Sequence, residues 1–85
     1  MIEKMTVFYK KRNLEIDAVC EGVQTLAYYG GDIEDMELIY GYIIIDHDKF
    51  ILKNNKGFFL ERDNNGEISL KIKTEFREIL EKLLQ

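Results

Sequence analysis

Along this chain, short apolar runs with a two-residue rhythm alternate with polar breaks, and one helical rhythm closes it. Residues 5–10, Met-Thr-Val-Phe-Tyr-Lys, are β-branched and aromatic, which suits a strand. Lys11-Arg12-Asn13 breaks the run. Leu14, Ile16, Ala18 and Cys20 then alternate with Glu15, Asp17 and Val19, the signature of a half-buried strand whose acids face water. The two runs read as an N-terminal hairpin. Gly22 ends the second strand, and residues 24–29 predict a third. Gly30-Gly31 interrupts the pattern. Asp32 can cap a short helix bearing Ile33, Met36 and Tyr40, with Glu34 and Asp35 at its positive end. A turn leading directly into a strand at Glu37 fits residues 33–38 as well.

Residues 39–45 are almost continuously apolar, as expected of a central strand buried on both faces. Asp46-His47-Asp48-Lys49 predicts a turn, Phe50-Ile51-Leu52 a strand, and Asn54-Asn55-Lys56-Gly57 another turn. Phe58-Phe59-Leu60 opens a strand that runs to Glu61 or Arg62. Asn65-Gly66 is a strong hairpin signal. Ile68, Leu70 and Ile72 then alternate with Ser69 and Lys71. Phe76, Ile79, Leu80, Leu83 and Leu84 recur at helical spacing, with Thr74 as the expected N-cap and Glu78 four residues before Lys82. At about eleven residues this helix needs an apolar surface to lie on. The predicted architecture is α+β: a small antiparallel β-meander or partly open barrel of about six or seven strands, with the C-terminal amphipathic helix packed on it. Closure or covering protects sheet edges from aggregation.

Length and composition fit one small domain over residues 1–85: 46% of residues are hydrophobic and 33% charged. No apolar run approaches the roughly 18 residues of a membrane span, and the N-terminus has no signal-peptide core. A soluble, cytoplasmic protein with no membrane partner is expected. Net charge is −4, unevenly placed. Residues 1–13 carry +3, residues 14–48 carry −9 with no Lys or Arg, and residues 49–85 carry +2.

Chemistry-bearing residues are few. One histidine and one cysteine cannot assemble a four-ligand zinc site. His47 is expected exposed in its turn, and Cys20 is expected to act as a small core hydrophobe. Asp46-His47-Asp48 fails the calcium-loop pattern, because Phe50 and Ile51 occupy positions that need an oxygen ligand and a glycine. The acids from Asp32 to Glu37 lack a predicted pocket that would separate their pKa values, and no phosphate-binding loop is present. No catalytic residue, metal or cofactor is expected.

The expected function is therefore non-enzymatic. An acidic, tyrosine-bearing surface made of Tyr28, Tyr29, Asp32, Glu34, Asp35 and Glu37 would bind a protein partner, a second copy of the chain being one candidate. The acids would steer and the tyrosines would anchor. The alternative is a nucleic-acid-binding small barrel. Tyr9, Lys10, Lys11 and Arg12 set an aromatic beside three cations at a hairpin tip. Lys56-Gly57-Phe58 partly resembles the strand motif of RRM and cold-shock proteins, in which aromatics stack on splayed bases. Phe59 stands where the RRM pattern has a small residue, and the acidic balance opposes phosphate binding.

Overall fold

Five consecutive residues, Met5–Tyr9, are buried, and they form the middle of strand β1 (Lys4–Lys10). The computed structural model describes residues 2–84. β1 is flanked on both sides, antiparallel, by β2 (Ile16–Glu21) and β3 (Tyr40–Asp46). A second antiparallel sheet pairs β4 (Phe58–Arg62) with β5 (Ile68–Ile72). Three helices complete the chain: α1 (Ile33–Ile39), α2 (Lys49–Lys53) and α3 (Thr74–Leu83). One 3-10 turn spans Leu26–Tyr29, ahead of α1, and a second spans Asn55–Gly57.

The α+β class and the C-terminal helix are as expected. The strand arrangement is not the expected one. Five strands lie in two sheets, of three and two strands, instead of six or seven in one meander or barrel. Residues 24–29 form the 3-10 turn because Thr25 caps it, accepting from the Ala27 N–H, and Gly30 ends it at φ 74°. Phe50-Ile51-Leu52 is helical because the Asp48 carboxylate accepts from the N–H groups of Phe50 and Ile51. The long apolar run is an edge strand that pairs with β1 alone, and its outward side chains Tyr42 and Ile44 stay 39% exposed. Helix α3 begins at Thr74, so Lys73 takes the N-cap position.

The first hairpin carries a bulge. Phe8 pairs with Ala18 and Tyr9 with Ile16, which leaves Asp17 as the extra residue. The bulge shifts the predicted alternation. Ile16 and Val19 join Val7 and Tyr9 on one face, while Ala18 and Cys20 pair with Phe8 and Thr6, whose side chains lie on the other. Leu14 adopts φ 60° at the end of the loop. This strained conformation is held while its side chain packs beside Val7, Tyr9 and Leu60.

The face bearing Val7 and Tyr9 packs on the small sheet through Leu60, Ile68 and Leu70. Phe8 heads the opposite face, where the 3-10 turn and α1 lie. A third cluster stacks Phe50 on Phe76 at 5.8 Å and sets Phe58 edge-on to both rings. Phe76 rests on Gly57 so closely that a Cβ there would lie 2.1 Å from the ring. That contact, and the Lys73 N–H donated to the Gly57 carbonyl at 2.9 Å, attach α3 by its N-terminal end.

The molecule measures 48 × 34 × 20 Å with a radius of gyration of 14.0 Å, where a compact chain of this length has about 12 Å. Its accessible surface is 6299 Å², against about 5,300 Å² for a compact monomer of its mass. Leu38, Leu83 and Leu84 are 75% or more exposed.

Candidate functional site

Asp32 anchors the acidic surface. Its backbone is extended, and its Oδ1 accepts from the N–H groups of Glu34 and Asp35 at 2.9 and 3.3 Å. Local chemistry thus starts α1 where the sequence predicts it. The carboxylates of Asp32, Glu34 and Asp35 gather at the helix's positive end. Glu34, Asp35 and Glu37 are exposed, as are the apolar Ile33 just before them and Leu38 just after. Leu38 is 80% exposed.

The opposite end of α1 is completed from another element. Lys11 Nζ donates to the Glu37 carbonyl at 2.6 Å, and the Lys11 N–H donates to the Ile39 carbonyl at 2.9 Å. A cation at a helix C-terminus is favourable. The helix has no basic residue of its own there, so the hairpin loop supplies one. Lys4 likewise meets Asp46 at 2.6 Å. That pair raises the Lys4 pKa and lowers that of Asp46, first through the hydrogen bond and then through charge attraction. The long segment without cations is therefore partly neutralised in space.

Tyr28 and Tyr29 have separate roles. Tyr28 is half exposed, with its ring stacked on Phe8 at 4.9 Å. Tyr29 is partly buried, stacks on Tyr40 at 4.1 Å and donates to Asp17 Oδ2 at 2.7 Å. Tyr28 remains available to a partner, whereas Tyr29 holds the turn to the bulge of β2. Periodicity alone carries no signal for the Tyr29–Asp17 bond, because the bulge that presents Asp17 arises from strand pairing.

Burial pushes the Tyr29 phenol well above the ordinary tyrosine range, and its bond to Asp17 pushes it further. A raised pKa contributes stability that is present below the unfolded value of about 10. That stability is lost as pH rises above it, because the unfolded chain ionises first. Tyrosinate absorbance should show one tyrosine ionising last, and Asp17→Ala should bring that ionisation to lower pH. An identical titration curve for the variant would show that the bond does not hold the proton.

The residues of the nucleic-acid alternative do not form one platform. Tyr9 is 8% exposed and its ring lies over Gly41, so it cannot stack on a base while β1 is intact. Phe58 is held edge-on to Phe50 and Phe76. Lys10 and Arg12 border a small cleft with Leu38 and Ile39. Lys56 borders a different cleft with Glu15 and Asp17.

His47 departs from expectation. Its side chain is only 18% exposed, and its Nε2 is buried 3.8 Å from a Glu21 carboxylate oxygen without a hydrogen bond. The turn is tied down on both sides: the His47 N–H donates to the Glu3 carbonyl, and the Asp48 N–H contacts the Met5 sulfur. Cys20 is a free, half-buried thiol. Among the described residues, no three His, Cys, Asp or Glu side chains converge as metal ligands, and no helix is long and apolar enough to cross a membrane. Comparison with protein-family models, curated proteins and solved structures gives no match.

Proposed function

We propose that this chain is a small non-enzymatic interaction protein that binds a basic protein surface through α1 and the turn before it. The observation that supports this most is Leu38, an 80% exposed leucine on the same short helix as the exposed acids Glu34, Asp35 and Glu37. Large apolar side chains on a charged surface mark interaction sites when they cluster. Here Leu38 shares the helix with half-exposed Ile33, and half-exposed Tyr28 lies on the adjoining turn. Glu34, Asp35 and Glu37 would raise the rate of encounter with a cationic partner, while Tyr28 and Leu38 would supply the desolvated anchor. Tyr29 supports Tyr28 from behind. Asp32 belongs to the surface by position, and its carboxylate is engaged in capping.

The test replaces Asp32 and Asp35 with Asn and Glu34 and Glu37 with Gln. Asn caps helices as well as Asp does, so circular dichroism should be unchanged. A photo-crosslinker at Leu38 identifies the protein bound there, and titration with that purified protein measures affinity. Exposed charge pairs contribute about 0.2–1 kcal/mol each, so the variant should bind at least about fourfold more weakly. Equal affinity of variant and wild type overturns this site. Micromolar, strongly salt-dependent binding of single-stranded RNA by the wild type would favour the cationic hairpin instead.

A further inference from the structure

We infer that α3 is a self-association element through which two copies of the chain pair in antiparallel orientation. The surface involved is remote in sequence from α1 and independent of the function proposed above. Phe76 and Leu80 are half-buried, while Ile79 is 54%, Leu83 75% and Leu84 87% exposed. The helix is thus held at its first turn, and most of its apolar stripe is uncovered. A ten-residue helix is too short to persist on its own propensity, so that stripe calls for a cover.

The charges beside the stripe are self-complementary. At 100° per residue, Glu75 and Lys82 flank it on one side and Arg77 and Glu81 on the other. In an antiparallel pair of identical helices each flank faces its own copy. A midpoint near Ile79 then brings Glu75 to Lys82 of the second copy and Arg77 to Glu81 of the second copy, while Phe76 meets the second Leu83. A parallel pair could also match charges. It would, however, align the two helix dipoles and bring both bodies to the same end, because each α3 is tethered at its N-terminus.

The antiparallel arrangement also supplies a receptor for the exposed leucines. Beside Phe76 and Ile79 lies an open cleft of about 550 Å³ whose walls include Lys53, Lys56 and Lys73. Leu83 and Leu84 of the second copy would enter it. The negative end of the second helix would approach those three lysines.

Sedimentation equilibrium of the full chain should show the 10.1 kDa monomer at low micromolar concentration and twice that mass at high micromolar concentration. Leu83→Lys with Leu84→Lys should leave the circular dichroism intact, because both positions are exposed, and should weaken dimerisation at least about tenfold. Arg77→Glu alone should weaken it. Arg77→Glu combined with Glu81→Arg should restore it, since the exchanged pair is again complementary. A monomer at every concentration overturns the inference, as does a dimer indifferent to the two leucine substitutions. Failure of the charge exchange to restore association overturns the pairing geometry. None of these outcomes alters the acid-substitution test on α1.

Discussion

Replacing Phe8 with alanine should destabilise the protein by about 3–5 kcal/mol. Phe8 has no exposed surface. Its ring touches Tyr28 at 4.9 Å, Tyr29 at 5.3 Å and Tyr42 at 5.9 Å between centroids. The cost depends on how far the surroundings can collapse into the vacated space. Here they are restrained. Tyr29 is fixed by Asp17 and stacked on Tyr40, and Tyr42 is held in β3 by the register with β1. For 85 residues, total stability is expected to be about 4–13 kcal/mol, so the substitution removes a large fraction of it. Urea unfolding checks this through a lowered midpoint at constant slope. Phe8→Leu, which keeps most of the volume, should cost clearly less. A loss below about 1 kcal/mol for the alanine variant would mean that the aromatic cluster does not support the sheet. Because Tyr28 stacks on Phe8, the partner binding proposed for α1 should weaken in the same variant even where it remains folded.

Gly41→Ala should cost about 1–3 kcal/mol, the range for overpacking a filled interior. Gly41 pairs directly with Tyr9 across β1 and β3. A Cβ at position 41 would lie 2.5 Å from Tyr9 Cζ and Oη and 2.9 Å from Cε2. The tip of a surface tyrosine could swing aside. Tyr9 is 8% exposed and packed with Val7 and Leu60, so its ring has little room. A glycine within a strand often marks such a close approach. Gly41→Ala combined with Tyr9→Phe should recover part of the loss, because the phenolic oxygen is one of the two nearest atoms. Thermal unfolding of the single and double variants measures both effects. An unchanged midpoint for Gly41→Ala would show that Tyr9 moves freely.

These two residues illustrate what could and could not be read along the chain. The apolar character of β1 is plain in Met-Thr-Val-Phe-Tyr. Nothing in that run says that β1 is the central strand, or that Phe8 and Tyr9 serve opposite faces with different partners. The apolar run through Ile43-Ile44-Ile45 suggests the central position more strongly, yet it forms an edge. A strand's place in a sheet depends on which other strands pair with it, and that information is non-local. The same holds for the site. The acids of α1 and the Asp32 cap were legible, since capping involves residues two and three positions apart. The division of labour between Tyr28 and Tyr29 was not, because it rests on Asp17, Tyr40 and Phe8, which lie elsewhere in the sequence. The nucleic-acid hooks looked plausible as linear motifs. Burial of Tyr9 and the packing of Phe58 against Phe76 take away their aromatic component.

By itself, the sequence determined the elements whose causes lie within a turn or two. These are the first hairpin, the Asn65-Gly66 hairpin with its alternating β5 and the amphipathic stripe of α3; at Asp32 the sequence offers a cap but leaves residues 33–38 open between a helix and a turn into a strand. The tertiary structure decided the rest. Hydrogen bonding between β1 and β2 placed the bulge at Asp17 and so re-sorted Val19, Ala18 and Cys20 between faces. The Lys4 and Lys11 contacts set the electrostatic pattern. Each of these depends on free energy shared between distant segments. Local propensity, worth only tenths of a kcal/mol to about 1 kcal/mol per residue, yields to such contacts wherever the two conflict.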